Sequence, residues 1–120
     1  MSHQINISPS LLAADFAHLA DSIEAVEEAG ADELHFDVMD GIFVPNITIG
    51  IPILEAIRPL TKLPIDVHMM VTEPGRYAKQ FAEAGGDIFT IHVEACDDLE
   101  TSLEDTRVTG MVAAVSLKPD

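Results

Sequence analysis

Short, nearly continuous apolar runs alternate along the chain with longer segments in which apolar residues recur every three or four positions. The apolar runs predict buried β strands, and the periodic segments predict amphipathic helices. The predicted strands cover residues 5–10, 33–39, 65–70, 88–93 and 111–117. The predicted helices lie between them, at residues 15–30, 52–59, 72–85 and 97–110.

This order predicts an α/β protein whose parallel sheet is covered by helices. An open doubly wound sheet and a (β/α)8 TIM barrel both fit. No glycine-rich phosphate-binding loop follows a predicted strand, which argues against a nucleotide-binding doubly wound sheet. Polar residues at the ends of several strands favour the barrel, although eight units need roughly 200 residues or more. We therefore expect residues 1–120 to form one domain, a partial TIM barrel of about (βα)4 plus a fifth strand.

A short internal repeat accompanies this alternation. Residues 28–32 read EAGAD and residues 83–87 read EAGGD, 55 positions later, at the same predicted helix-to-strand junction. A duplicated pair of βα units and a chance match both explain the repeat.

The composition and net charge of the chain limit the classes of binding partner that we expect. The chain is 48% hydrophobic and has 21 acidic against 6 basic residues, a formal net charge of −15. Nucleic acid and anionic membrane surfaces are therefore not expected partners, because phosphate contacts need clustered Lys and Arg. Cys96 is the only cysteine, which excludes an intrachain disulfide. With neither a signal peptide nor a long apolar run, we expect a cytoplasmic protein with no membrane segment.

Two of the predicted strands carry metal-binding side chains at alternate positions, which share one face of a sheet. These side chains are His35, Asp37 and Met39 on the first, and Asp66, His68 and Met70 on the second. Imidazole, carboxylate and thioether groups in one small volume suit a divalent metal ion beside a carboxylate base. Taken alone, His35 fits a core histidine, but Asp37 and His68 nearby favour a metal ligand.

Other polar residues admit two interpretations. His92 and Glu94 share a strand face. They are either hydrogen-bond partners of a metal ligand or residues with a packing role only. Asp66 is a lesser candidate for orienting His68. His3 and His18 are expected at the surface.

Five stretches in order carry a joint pattern that resembles the ribulose-phosphate 3-epimerase family. They are residues 7–16 (ISPSLLAADF), 35–41 (HFDVMDG), 43–48 (FVPNIT), 66–71 (DVHMMV) and 92–95 (HVEA). The resemblance implies a (β/α)8 barrel that interconverts ribulose 5-phosphate and xylulose 5-phosphate at C3. It also implies one divalent metal ion as cofactor: zinc, iron(II) or manganese.

The resemblance also implies roles for individual residues. His35, Asp37 and His68 correspond to metal ligands, and Asp37 to one of two catalytic acid/base carboxylates. The loop at residues 43–48 corresponds to a wall of the site. The residues that correspond to substrate-binding positions are Ser10, His68, Met39 and Met70.

Some parts of the family pattern have no counterpart in residues 1–120. The family's second catalytic aspartate, which is also its fourth protein ligand, and its phosphate-binding loops belong to later strands. Lys118 stands where the family tends to have Asn. We therefore expect the N-terminal half of a barrel, and whether these residues alone are active stays open.

Two alternative functions stay open beside the epimerase. One is a catalytically silent half-barrel that binds a metal ion or a sugar phosphate, and the other is an epimerase of a related ketohexose 6-phosphate. The expected partners are a ketopentose phosphate substrate and either a second copy of the chain or a complementary C-terminal half, because unpaired strand edges favour association.

Overall fold

The computed structural model describes residues 4–119, so the expected surface position of His3 lies outside the described residues. Its strands form one parallel sheet in the order β1-β2-β3-β4. The strands are β1 Leu34–Met39, β2 Ile65–Met70, β3 Ile88–His92 and β4 Val112–Ser116. The α-helices are α1 Leu19–Glu28, α2 Ile51–Ile57, α3 Ala78–Ala84 and α4 Leu99–Arg107. Single turns of 3-10 helix cover Leu11–Ala13, Phe16–His18, Arg58–Leu60, Pro74–Tyr77 and Val93–Ala95. The predicted α/β class is confirmed, and the arrangement is consistent with part of a (β/α)8 barrel.

The two faces of the sheet differ in chemistry because successive side chains point to opposite sides. Alternate apolar residues of β1 to β3 are buried in the hydrophobic core with residues of the helices. The sheet contributes Leu34, Phe36, Val38, Ile65, Val67, Met69, Phe89 and Ile91 to this core. The opposite face carries the polar residues, so the core fixes the direction in which the candidate site residues point.

The first of the five predicted strands is not a regular strand, which corrects the expected count. Residues 5–10 run beside β1 but form only an isolated bridge, between Ser10 and His35. The amides of Asp32 and His35 donate to the carbonyl oxygens of Ile7 and Pro9, both at 2.9 Å. Pro9 has no N–H to donate in return, which interrupts the ladder. Within residues 4–119, the structure has four strands and one extended segment.

The predicted helices are present but shorter. Two of them begin with a 3-10 turn, at Phe16–His18 and Pro74–Tyr77. The Asp15 carboxylate accepts a hydrogen bond from the amide of Ala17 at 3.0 Å and so caps the first of these turns. Within residues 4–119, no helix combines the length and the apolar character needed to cross a membrane.

The internal repeat has the same structural role at both places. Asp32 Oδ2 accepts from the amide of Ile7 at 2.7 Å, and Asp32 N donates to the Ile7 carbonyl oxygen at 2.9 Å. Asp87 exchanges the same pair of bonds with Ile65, at 2.9 and 3.0 Å. Each aspartate lies between a helix and the strand that follows it, and it ties this junction to the neighbouring extended chain, residues 5–10 for Asp32 and the start of β2 for Asp87. This correspondence favours a duplicated βα pair over a chance match.

The glycines of the repeat lie in the left-handed region, with φ of +93° at Gly30 and +113° at Gly85. A Cβ at Gly85 would overlap the Cγ and Cδ atoms of Arg58, whereas one at Gly30 would meet no atom within 4 Å. Arg58 cannot retreat freely, because its guanidinium donates to the carbonyl oxygens of Thr61 at 3.0 Å and Leu63 at 2.7 Å.

We expect Gly85→Ala to lower the free energy of unfolding by about 2–4 kcal/mol, because backbone strain and steric overlap add. Gly30→Ala is the matched control and is expected to cost only about 1 kcal/mol, from strain alone. Urea unfolding followed by circular dichroism measures both values. Equal losses in the two variants would contradict the contact between Gly85 and Arg58.

Candidate metal centre

The parallel pairing of β1 with β2 brings the candidate ligands together. Asp37 lies opposite His68 in the register, and His35 lies opposite Asp66. The bridge between Ser10 and His35 adds the preceding segment to the same place. Strand residues that are two apart share a face, so the register alone directs all of these side chains to one side of the sheet.

Three ligand atoms form a nearly equilateral triangle. His35 Nε2, His68 Nδ1 and Asp37 Oδ1 are each 3.1 Å from the other two. Separations of about 3 Å are what atoms sharing one ion at 2.0–2.2 Å require. Two imidazole nitrogens and a carboxylate oxygen also suit zinc and other first-row divalent metals. The group of His35, Asp37 and His68 could therefore hold a metal ion.

The Asp37 carboxylate divides its two oxygens between two tasks. Oδ1 faces the histidine nitrogens, while Oδ2 accepts a hydrogen bond from the hydroxyl of Ser10. The residue is only 7% exposed. Burial raises its pKa, but hydrogen bonds from His35, His68 and Ser10 outweigh burial and hold the pKa well below the usual range. Asp37 is therefore ionised at neutral pH, as a ligand or a proton acceptor must be.

His35 lies between two carboxylates. Its Nε2 is 3.1 Å from Asp37 Oδ1, and its Nδ1 is 3.4 Å from Asp66 Oδ2. The hydroxyl of Thr90 donates to Asp66 Oδ1 at 2.7 Å and fixes that carboxylate. Asp37 first, and then Asp66, raise the pKa of His35 to about 10. In the metal-free state this imidazole holds a proton, which an incoming metal ion would displace.

The other side of His68 contacts β3. Its Nε2 is 2.8 Å from Nε2 of His92, and the two rings meet edge to edge, with centroids 4.9 Å and planes 24° apart. Burial, and then the nearby charge of His68, lower the pKa of His92. The ring of Phe43 lies 5.1 Å from that of His92, and Lys118 Nζ lies 4.0 Å from the centre of the Phe43 ring. The loop after β1 thus covers the β3 side of the centre.

Met39 and Met70 are paired in the register at the carboxyl ends of β1 and β2. They follow the ligand positions by two residues and therefore share their face. Thr48 holds the adjoining loop, since its hydroxyl donates to the Asp37 carbonyl oxygen at 2.8 Å and accepts from the Met39 amide at 3.0 Å. The structure thus brings every predicted site residue to one face of the sheet, beside the ligand triangle or at the methionine pair that follows it. These residues are Ser10, His35, Asp37, Met39, His68 and Met70.

The sequence prediction missed Thr90 as a partner of Asp66, and it did not select His92. Thr90 pairs with His68 in the register, and His92 follows Thr90 by two residues on the same face. The alternate polar positions of the predicted fourth strand were the available signal. The register of β2 with β3, which the sequence does not give, was needed to use it.

Comparison with known proteins gives matches of three kinds: a family model, curated relatives and a solved structure. The sequence model described as the ribulose-phosphate 3 epimerase family matches residues 6–120. The ribulose-phosphate 3-epimerase of Bacillus subtilis is 53% identical over 115 residues, which cover 96% of this chain and 53% of the relative. That of Synechocystis is 53% identical over 121 residues, covering 99% and 53%.

The chain therefore spans about half the length of the curated relatives it matches. Among solved structures, a DHPS of Yersinia pestis with a bound pterine-sulfa conjugate superposes with a TM-score of 0.67 at 14% identity. The match covers 96% of this chain and 45% of the other. At this identity the likeness concerns the fold alone.

Proposed function

The chain belongs to the ribulose-phosphate 3-epimerase family, and on this premise we propose that it supplies the metal-holding and proton-transferring residues for interconversion of ribulose 5-phosphate and xylulose 5-phosphate. The observation that carries the proposal is the triangle of His35, Asp37 and His68 ligand atoms, in which the Asp37 carboxylate is ionised. Residues 1–120 are proposed to form the N-terminal half of the barrel. The share of the relatives that the chain spans supports this assignment.

His35, Asp37 and His68 are proposed to hold one divalent ion, which is zinc, iron(II) or manganese. Epimerisation beside a ketone removes a weakly acidic proton from carbon and leaves an ene-diolate. A bound divalent ion supplies Lewis-acid stabilisation of the negative charge on the ene-diolate oxygens. The fit of the ligand atoms, two nitrogens and one oxygen at mutual distances of 3.1 Å, supports the assignment.

Asp37 Oδ2 is proposed as the atom that takes the proton from C3. This oxygen lies away from the histidine nitrogens and is oriented by the hydroxyl of Ser10. Inversion at carbon also needs an acid on the opposite face of the substrate. We assign that role to the second aspartate, which the family carries on a later strand.

Ser10, His68, Met39 and Met70 are proposed to contact the ketopentose phosphate. The two methionines offer apolar surface at the carboxyl ends of their strands, where barrel enzymes bind their substrates. Asp37 and His68 below them present the polar groups toward the same space. The reacting carbons would thus lie between an apolar wall and the ligand cluster.

The partner proposal concerns the edges of the sheet. Among the described residues, β4 pairs only with β3, and Val115 and Leu117 beside this edge are largely exposed. A second copy of the chain or a complementary C-terminal half is proposed to cover this edge, because an open parallel edge invites pairing. A cytoplasmic location also remains a proposal.

The test is turnover of ribulose 5-phosphate by purified protein after chelation and reloading with zinc, manganese or iron(II). The protein is assayed alone and mixed with the C-terminal half of the Bacillus subtilis relative, and a ketohexose 6-phosphate serves as the second substrate. We expect metal-dependent epimerisation of the pentose phosphate. Stoichiometric metal binding without turnover in either setting would favour the silent binding module, and turnover of the hexose substrate alone would favour the related epimerase.

A further inference from the structure

A histidine that binds a metal ion through one ring nitrogen needs a partner for the other. For His35 this partner is Asp66, whose Oδ2 lies 3.4 Å from Nδ1. Thr90 holds Asp66 in place from β3 by a hydrogen bond of 2.7 Å. The outward nitrogen of His35, Nδ1, therefore faces the Asp66 carboxylate, which Thr90 in turn holds by a hydrogen bond.

The outward nitrogen of His68 has a different partner. Its Nδ1 faces Asp37 and His35, so Nε2 points away from the proposed ion. His92 Nε2 lies 2.8 Å from it, and His92 is the last residue of β3, buried with 8% exposure. The two rings meet edge to edge, with planes 24° apart, so the two Nε2 atoms are in direct contact. His92 is thus built into the position that a supporting group for His68 would occupy.

The positions of the ring protons of His68 and His92 follow from the number of protons that a neutral imidazole carries. A metal ion on Nδ1 of His68 leaves the ring proton on Nε2, which must donate. His92 Nε2 is then the acceptor, so a neutral His92 carries its own proton on Nδ1. Within residues 4–119, His92 Nδ1 is buried without a hydrogen-bond partner and lies 3.6 Å from Glu94 Oε1. The carboxylate beside His92 Nδ1 is therefore an acceptor, as this tautomer requires.

Glu94 is held where it can accept that proton. Its Oε2 accepts a hydrogen bond of 2.6 Å from the amide of Lys118, two residues after the end of β4. A slight closure of the Glu94 side chain, which is 34% exposed, would bring Oε1 within hydrogen-bond distance of His92. His92 thus lies between His68 of β2 and Glu94 of the turn that follows β3.

We propose that His92 is a positioning residue for the metal centre: its Nε2 accepts the Nε2 proton of metal-bound His68, and Glu94 accepts the proton of His92 Nδ1. The inference rests on the metal site of the proposed function. His92 thereby fixes which nitrogen of His68 faces the ion and in which plane its ring lies. It holds no ion itself.

A pair of substitutions separates hydrogen bonding from packing. His92→Phe keeps an aromatic ring against His68 and Phe43 but offers no acceptor, whereas His92→Gln places an amide oxygen near the position of Nε2. Competition with a chromophoric chelator measures the Zn²⁺ affinity of each variant and of wild type. We expect His92→Phe to lose about 10–100-fold in Zn²⁺ affinity, as for other partners of metal-bound histidines, and His92→Gln to recover most of it.

Nitrogen-15 NMR of the Zn²⁺-loaded wild-type protein tests the tautomer without any substitution. The expected spectrum shows His68 protonated at Nε2 and His92 protonated at Nδ1. A proton on His92 Nε2 in the loaded protein, or equal Zn²⁺ affinity in His92→Phe and wild type, would overturn the positioning role alone. Equal losses in both variants would also overturn it. Wild-type protein that binds no Zn²⁺ would overturn the metal site, and this inference with it.

Discussion

Replacing Asp37 with Asn is expected to slow proton exchange at C3 of ribulose 5-phosphate by about 10³-fold or more, since general-base catalysis alone contributes 10²–10⁴-fold. The substitution keeps the shape of the side chain but removes the charge that makes Oδ2 basic. It also replaces the ionised ligand between His35 and His68. Loss of the C3 proton signal in D₂O, followed by proton NMR on metal-loaded protein, measures this exchange.

The exchange assay is chosen because a base on one face of the substrate is enough to produce it. Inversion, by contrast, also requires the acid on the opposite face. Asp105→Asn is the matched control, because it removes one negative charge from the exposed surface of α4, away from the site. Exchange that persists at the wild-type rate in Asp37→Asn would show that Asp37 is not the base.

Replacing His68 with Ala is expected to weaken Zn²⁺ binding by more than about 100-fold, beyond the 10–100-fold that loss of an outer partner costs. His68 supplies one corner of the ligand triangle and also separates Asp37 from His92. Its removal leaves only His35 and Asp37 of the three ligand atoms. Chelator competition at constant pH and ionic strength measures the change.

His18→Ala is the matched control for this second experiment. His18 is exposed, and within residues 4–119 the polar partner of its imidazole is the capping Asp15, at 2.9 Å. We expect the Zn²⁺ affinity of the His18→Ala variant to equal that of wild type. Urea unfolding verifies that the His18→Ala and His68→Ala variants are both folded. Equal affinities in His68→Ala and His18→Ala would place the bound ion somewhere other than the β1–β2 centre.

Much of the fold could be predicted because its pattern is local. Short apolar runs between the helical segments predicted β1 to β4. Gly30 and Gly85 predicted the helix ends after which the next strand begins. The segment at residues 5–10 was wrongly predicted as a regular strand. The composition of this segment favours β structure, but pairing with β1 requires backbone N–H donors, and Pro9 has no N–H.

The face of each candidate residue was predictable, but its neighbours were not. Spacing by two placed His35 with Asp37 on one side of a strand. That Asp37 Oδ1 sits equally far from two histidine nitrogens depends on the register of β1 with β2. The contact of His68 with His92 depends in addition on the next register, which no short sequence window contains.

The most direct test of the central claim is an anomalous diffraction map at the zinc edge from crystals of Zn²⁺-loaded protein. We expect one strong peak bonded to Nε2 of His35, Oδ1 of Asp37 and Nδ1 of His68. A peak at any other position, or no peak between these three atoms at full zinc loading, would contradict the assignment of this cluster as the metal centre.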